Sequence, residues 1–301
     1  MTATVVRARG LTKRYGSFTA LDAIDLTIEQ NRIYGLLGRN GAGKTTVMQL
    51  LTGQIFPNGG ELEVFGRAPA EHAGVLRHIC FIAESQRYPE DFTPAHVFTA
   101  APWFFEHWDA AFAERLVADF RLPLKRRIKK LSRGQLSAVG VIVGLASRAP
   151  LTFFDEPYLG LDAVARHIFY DRLLEDYAEH PRTVVLSTHL IDEVANLLEH
   201  VVLIDEGRIL FDRDADELRG SATTIAGPRA AVESFVADRP VIGRESLGGL
   251  ASVTIDERLG QPERVRAAEL GLEIAPVALQ QLIIHLTGGD LAGSTEQEAA
   301  A

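Results

Sequence analysis

The chain has 301 residues, of which 47% are hydrophobic and 24% are charged, a composition typical of a soluble globular protein. Its formal net charge of −9 excludes a surface built as a whole to bind nucleic acid. The single cysteine, Cys80, excludes an internal disulfide, and no apolar run approaches the roughly 20 residues that cross a bilayer. We therefore expect a cytosolic chain without a signal peptide, for which any membrane role requires a partner.

The first 30 residues predict strands and turns. The side chains of Leu21 and Ala23 are expected on the face opposite Ile24, Leu26 and Ile28. A buried strand, a helix and two more strands are expected next, at RIYGLL, residues 44–53, ELEVFG and HICFIA.

The sequence pattern changes over residues 92–120, where helices are predicted in place of strands. Thr93 and Pro94 are expected as the N-cap and first residue of one helix, and a second is expected from Asp109. Helices and short apolar strands then alternate, in the order 134–147, LTFFDEP, 163–178, TVVLSTH, 191–199, HVVLIDEG and RILFD. This alternation predicts an α/β fold with a mainly parallel sheet.

A phosphate-binding loop is predicted between the strand RIYGLL and the following helix. GRNGAGKTT fits the pattern G-x-x-x-x-G-K-[ST] in the strand–loop–helix context that this motif requires. Lys44 would reach the β- and γ-phosphates, and the Thr45 hydroxyl would bind Mg²⁺. The expected phosphate-binding residues are Gly38, Arg39, Asn40, Gly41, Ala42, Gly43, Lys44, Thr45 and Thr46. The alternative is a glycine-rich turn with a solvated lysine.

Two carboxylates follow the apolar residues of LTFFDEP. A buried strand would bring Asp155 and Glu156 to the carboxyl edge of the sheet, beside the phosphate loop. Asp155 is expected to hold Mg²⁺, and Glu156 is expected to polarise an attacking water. The alternative is a strand end that turns into solvent, where acidic residues are common.

The order of GRNGAGKTT, LSRGQ and FFDEP resembles the nucleotide-binding domain of ATP-binding cassette (ABC) proteins. The resemblance covers residues 4–220. It implies a P-loop ATPase with a RecA-like core, an N-terminal antiparallel β subdomain and a helical subdomain over about residues 90–147. Residues 221–288 are expected to form a small α+β extension, and residues 289–301 a disordered tail.

The resemblance also implies roles for residues that are weak signals alone. Tyr15 would stack on adenine, His189 would reach the γ-phosphate, and Asp162 would lie in a loop that crosses a dimer interface. The family commonly has a glutamine that senses Mg²⁺ and the membrane partner. Spacing places Glu84 there, as a third metal-binding residue, with Gln86 as the alternative; an ionised glutamate donates no hydrogen bond.

LSRGQ is similar to the family signature LSGGQ, with Arg133 in place of the first glycine. In a head-to-tail dimer, Ser132, Gly134 and Gln135 would cover the ATP of the other subunit. Because the signature precedes a helix, Ser132 either binds that phosphate or caps its own helix, and the two roles are compatible. Arg133 would add a positive charge near the phosphates and must avoid positive φ or be strained.

The implied function is an ATPase that uses Lys44, Glu156 and His189 on Mg²⁺-ATP, as a homodimer or heterodimer. It would drive a separate membrane permease from the cytoplasmic face, in a branch similar to ABC-2-type drug and antibiotic exporters, with no nucleic acid expected. The aromatic residues that would form the permease-coupling groove, or part of the subdomain core, are Phe92, Phe98, Trp103, Phe104, Phe105 and Trp108. Importers, soluble ABC proteins of translation or DNA maintenance, and P-loop kinases are the alternatives.

Overall fold

The computed structural model describes residues 3–84 and 86–286, which divide into two compact units. Within the described residues, the first unit comprises residues up to 189 together with 197–212, and the second comprises 190–196 and 213–286. The boundaries expected at residues 220 and 288, between the ATPase domain, the extension and the tail, stay predictions. The expected tail at 289–301 lies outside the described residues.

The first unit begins with a three-stranded antiparallel sheet. Its strands β1 (Thr4–Tyr15), β2 (Phe18–Glu29) and β4 (Gly59–Val64) lie in the order β2-β1-β4. The side-chain alternation expected along β2 is wrong at Leu21, which is buried on the same side as Ile24. The reason is an irregularity at Ala23, whose φ is +50°: one residue of β1, Thr12, faces two residues of β2, Asp22 and Ala23.

A six-stranded sheet forms the centre of this unit. It contains β3 (Ile33–Leu37), β5 (Ile79–Ile82), β6 (Leu151–Asp155), β7 (Thr183–Thr188), β8 (His200–Asp205) and β9 (Arg208–Asp214). The order is β5-β6-β7-β3-β8-β9. The first five strands in this order, from β5 across to β8, each pair in parallel with the next. β3, β6 and β7 are fully buried. Because β7 pairs in parallel with both β3 and β6, the carboxyl ends of the three strands meet at one edge of the sheet.

The helices of this unit follow the sequence prediction, except that a short helix over residues 73–76 is not predicted and the one after His189 is shorter than predicted. They are α1 (Lys44–Leu51), α2 (Ala73–Leu76), α3 (Pro94–Ala100), α4 (Ala110–Asp119), α5 (Arg133–Ala146) and α6 (Ala163–Glu179). Thr93 and Asp109 cap α3 and α4, which confirms both expected helix starts. The helix expected over 191–199 is too long: α7 spans only Ile191–Val194. The chain must leave its axis because Leu198 packs against Gly35 of β3.

The second unit is a four-stranded antiparallel sheet with helices, which confirms the expected α+β extension. Its elements are β10 (Thr223–Pro228), α9 (Arg229–Val236), β11 (Val241–Leu247), β12 (Leu250–Ile255), α10 (Gln261–Glu269) and β13 (Glu273–Pro276), with α8 (Ala215–Leu218) before and α11 (Leu279–Leu286) after them. The strand order β11-β12-β10-β13 and the βαββαβ sequence give a ferredoxin-like topology. Among the described residues, no helix combines the length and apolarity needed to span a bilayer.

A buried ion cluster stabilises the first unit behind the sheet. Asp176 of α6 accepts hydrogen bonds from Arg182 at 2.6 Å and from Arg148 at 2.7 Å. Burial lowers the pKa of Arg182, and the Asp176 carboxylate opposes that effect. Arg148 also pairs with Asp109 at 2.9 Å, whereas the buried Arg182 depends on Asp176 for its neutralisation.

Asp176→Asn is expected to lower the free energy of unfolding of the first unit by about 2 kcal/mol, because both hydrogen bonds lose their charged acceptor. Urea unfolding followed by tryptophan fluorescence measures this, since Trp103 and Trp108 both lie in that unit. Asp171→Asn is the matched control on α6; its side chain is 53% exposed and pairs only with exposed His167. A change within about 0.5 kcal/mol is expected there. Equal losses in the two variants would contradict the role given to Asp176.

Candidate active site

The phosphate loop connects β3 to α1 and is held in shape by its glycines and its lysine. Gly43 has a φ of +112°, and a β-carbon there would lie 2.9 Å from Leu21 and 3.0 Å from the carbonyl oxygen of Ala20. Lys44 is buried, and its Nζ donates to the carbonyl oxygens of Gly38 at 2.7 Å and Arg39 at 3.1 Å. The ammonium group therefore lies inside the loop, where phosphate oxygens could replace these carbonyls.

The first carboxylate of the site connects three of the elements that meet at the sheet edge. Asp155, at the end of β6, accepts from the hydroxyl of Thr45 at 2.8 Å and from the hydroxyl of Ser187 on β7 at 2.6 Å. The strand order makes this contact possible because β7 lies between β6 and β3. Asp155 thus faces the phosphate loop, as its position after a buried strand predicts.

Thr45 and Asp155 present oxygen atoms only, the ligand type that Mg²⁺ prefers. Among the described residues, no group of three or more His, Cys, Asp or Glu side chains forms an all-protein metal site. Mg²⁺ sites in nucleotide-binding proteins use one or two protein oxygens together with phosphates, so this pair fits Mg²⁺ bound with a nucleotide.

Glu156 follows directly and is held in an unusual conformation. Its φ is +48°, its side chain is buried, and its backbone N–H donates to the Ser187 hydroxyl at 3.0 Å. One carboxylate oxygen, Oε1, is buried without a hydrogen-bond partner among the described residues and lies 3.6 Å from Nζ of Lys44. A strained backbone that buries a carboxylate beside a lysine is typical of functional sites.

His189 completes this side of the site, just after β7. Its Nδ1 lies 3.0 Å from Oε2 of Glu156 and 2.9 Å from the hydroxyl of Tyr158. The Tyr158 hydroxyl also contacts Oε2 of Glu156. The structure therefore brings Lys44, Glu156 and His189 together and adds Tyr158 to them.

The signature lies at the start of α5. Ser132 and Gln135 form a reciprocal cap in which each backbone N–H donates to the other's side-chain oxygen, both at 3.2 Å. Arg133 is the first residue of α5 with ordinary helical backbone, so its replacement of glycine carries no strain. A β-carbon on Gly134 would lie 2.4 Å from the carbonyl oxygen of Gly160, so the signature backbone touches the loop after Glu156. The helix-cap role of Ser132 is confirmed.

Glu84 and Gln86 line one cavity of about 290 Å³ together with Glu156 and Arg133. Glu84 lies 3.9 Å from the guanidinium of Arg133, with both side chains at least half exposed, whereas the Gln86 side chain accepts from the backbone N–H of Ala83 at 3.3 Å. Glu84 and Arg133 thus carry opposite charges that face each other. The metal role of Glu84 stays a prediction, as does the choice between Glu84 and Gln86.

Tyr15 and Asp162 lie at the ends of their elements. Tyr15 is the last residue of β1 and is 48% exposed. Its ring centroid lies 5.1 Å from Nζ of Lys13. Asp162 caps α6 by accepting from the backbone N–H of Ala165 at 2.8 Å. Their roles toward adenine and toward a second subunit stay predictions.

Sequence reasoning missed Ser187 and Tyr158. Ser187 occurs in the predicted strand TVVLSTH and Tyr158 directly follows LTFFDEP, but their contacts depend on the pairing of β6 with β7, which brings together Glu156 and Ser187, 31 residues apart. Cys80 is not an alternative nucleophile, because burial raises the pKa of its thiol to about 12.

A parallel sheet, a phosphate loop after β3 and two carboxylates at the end of β6, with β7 between the two strands, define a P-loop nucleoside triphosphatase. The family model described as ABC transporter matches residues 21–159. The bacitracin transport ATP-binding protein of Bacillus licheniformis is 32% identical over 72% of this chain and 72% of its own length. The daunorubicin resistance ATP-binding protein of Streptomyces coeruleorubidus is 27% identical over 96% of this chain and 98% of its own length.

Solved structures agree with these sequence relatives. The ATP-binding subunit of an ABC transporter superposes with a TM-score of 0.63 at 25% identity, over 71% of this chain and 92% of that chain. The chain belongs to the ABC transporter family as an ATP-binding subunit, and it is an ATPase. The expected family, fold class and enzyme class are confirmed.

Proposed function

We propose that this chain hydrolyses Mg²⁺-ATP in a head-to-tail dimer and drives a separate membrane permease that exports a drug, antibiotic or lipid-like compound. The observation that carries the proposal is the geometry of Glu156. Its Oε1 is buried without a hydrogen bond, 3.6 Å from the lysine of the phosphate loop. A base and a phosphate-binding cation in one site are what phosphoryl transfer to water requires.

The chemical step follows from these positions. Oε1 of Glu156 accepts a proton from water, whose oxygen forms a bond to the γ-phosphorus. The bond from the γ-phosphorus to the bridging oxygen breaks, and its electron pair leaves with ADP. Lys44 and His189 bind the γ-phosphate oxygens through N–H groups. Thr45 and Asp155 would hold Mg²⁺, which when bound neutralises charge on the β- and γ-phosphates.

The dimer is supported by the chemistry of the signature. The Ser132 oxygen accepts from Gln135, but its own O–H remains a donor for a phosphate of a second subunit. α5 is 14 residues long, so its amino-terminal dipole favours an anion at this point. Because Glu156 and the signature are both present in one chain, a homodimer would contain two working sites; a heterodimer is the alternative.

The permease contact is supported by an exposed aromatic surface formed by Trp103 and Phe104. They are 80% and 68% exposed and lie in the 3-10 turn that follows α3, within the expected helical subdomain. Large exposed aromatic groups on a folded surface are typical of protein-binding sites. Export of drug-like compounds is supported by the relatives named for bacitracin transport and daunorubicin resistance.

Recovery of the chain with membrane proteins tests this proposal. We expect affinity-purified chain from solubilised host membranes to carry one multi-span membrane protein. Combining Trp103→Ala with Phe104→Ala should lower its recovery at least about 10-fold, because such aromatic anchors contribute most of the binding energy. Leu247→Ala, on the other compact unit and 85% exposed in the native chain, is the matched control and should change nothing.

Three outcomes would each contradict one part of the proposal. Recovery of ribosomes or DNA with no integral membrane protein would favour a soluble ABC ATPase. Recovery of a membrane protein to the same extent with the double variant would place the permease contact elsewhere. Substrate uptake rather than efflux by vesicles that contain the complex would favour an importer.

A further inference from the structure

Tyr158 is a buried tyrosine that the chemical step does not use. It lies two residues after Glu156, is 2% exposed, and its ring meets the His189 ring edge to face at 5.5 Å between centroids. Its hydroxyl contacts Oε2 of Glu156, Nδ1 of His189 at 2.9 Å and the backbone nitrogen of His189 at 3.1 Å. A side chain needed only for packing has no reason to place its one polar atom among these three groups.

The donors and acceptors around this hydroxyl allow a single arrangement. An ionised Glu156 only accepts, so the phenol proton must point to Oε2. The backbone N–H of His189 only donates, so it occupies one lone pair of the phenol oxygen. The second lone pair faces Nδ1 of His189, which must then carry a hydrogen.

We propose that Tyr158 is a positioning residue that fixes both Glu156 and His189 for ATP hydrolysis. Its hydrogen bond holds Oε2, which leaves Oε1 as the oxygen that faces Lys44 and the water. Its oxygen accepts from the backbone N–H of His189 and lies 2.9 Å from Nδ1, which itself lies 3.0 Å from Oε2 of Glu156, so the His189 ring is held against both groups. A general base works only when it is oriented toward the proton that it accepts. This inference rests on the proposed role of Glu156.

Tyr158→Phe tests the hydroxyl alone, because it keeps the ring that packs on His189. We expect kcat for ATP to fall about 10- to 100-fold while KM for ATP changes less than about 2-fold, since the hydroxyl acts on the base and not on the nucleotide. Tyr177→Phe is the matched control. It removes a phenol hydroxyl outside the site, whose oxygen lies 2.7 Å from both the carbonyl oxygen of Asn31 and a carboxylate oxygen of Glu199 and whose single proton serves these two acceptors, and it should leave kcat unchanged.

A double-mutant cycle separates positioning from packing. In a Glu156→Gln background, Tyr158→Phe should lower the residual hydrolysis rate less than it does in the wild type, because one of the two groups that it orients is gone and only His189 remains. If Tyr158 acts by packing, Tyr158→Phe will match the wild type and only Tyr158→Leu will lose activity and thermal stability. That result, or an unchanged kcat in Tyr158→Phe, would overturn the inference.

The two proposals fail in different ways. If the proposed role of Glu156 is wrong, Glu156→Gln will hydrolyse ATP at the wild-type rate, whatever Tyr158→Phe does. If only the role of Tyr158 is wrong, Glu156→Gln will be inactive and Tyr158→Phe will be active with the wild-type kcat.

Discussion

Glu156→Gln is expected to lower the rate of ATP hydrolysis about 10³-fold, because an amide of the same shape accepts no proton from water. The buried Oε1 beside Lys44 is the only part of this site that is both a base and free of hydrogen bonds among the described residues. Nucleotide binding should be retained, since the substitution removes no group that binds phosphate. Because products no longer form, an ATP-bound dimer should accumulate.

Hydrolysis is measured as phosphate release, and the dimer by light scattering with and without ATP. Glu175→Gln is the matched control, because it makes the same chemical change at an exposed position of α6, where the native carboxylate pairs with Arg172 on the surface. It should hydrolyse ATP at the wild-type rate. Normal turnover by Glu156→Gln, or a variant that binds ATP but stays monomeric, would contradict the proposed mechanism.

Lys44→Ala is expected to weaken ATP binding about 100-fold or more and to abolish measurable turnover. The ammonium group is buried in the loop and donates to two carbonyl oxygens. Hydrogen bonds from a buried cation to phosphate are among the stronger ones in proteins, about 1.5–3 kcal/mol each. Its loss also leaves Glu156 without the nearby positive charge, which disfavours an anionic substrate further.

Titration with a fluorescent ATP analogue measures this loss of affinity. Lys125→Ala, an exposed lysine before the signature, is the control for a general loss of positive charge and should bind as the wild type does. Thermal unfolding without nucleotide separates a damaged loop from a damaged fold. Wild-type affinity in a folded Lys44→Ala protein would refute the assignment of the phosphate loop.

Local motifs explain why much of the site could be predicted. The phosphate loop and the pair Asp155-Glu156 each depend on a few consecutive residues, and their partnership follows from where parallel strands end. The expected cap at Thr93 succeeded for the same reason, because capping involves only neighbouring residues. The assignment to an α/β fold followed from strands and helices that alternate along the chain.

The failures share a different cause, since they depend on contacts between distant parts of the chain. Leu21 turned inward because of an irregular pairing between β1 and β2 at Ala23. The helix after His189 ended early because Leu198 packs on β3. The ferredoxin-like strand order and the Tyr158 contacts likewise arise from strand neighbours that no local pattern reveals.

The contact between Gly134 and Gly160 has a mechanical consequence. Two backbones that touch without a side chain between them have no rotamer to absorb a displacement, and the Ser137 hydroxyl further joins α5 to the carbonyl oxygen of Leu159 at 2.6 Å. A movement of the signature toward this loop would therefore have to displace the segment that begins at Glu156. In the proposed dimer, each subunit would sense the nucleotide of its neighbour as a shift in the position of its own base.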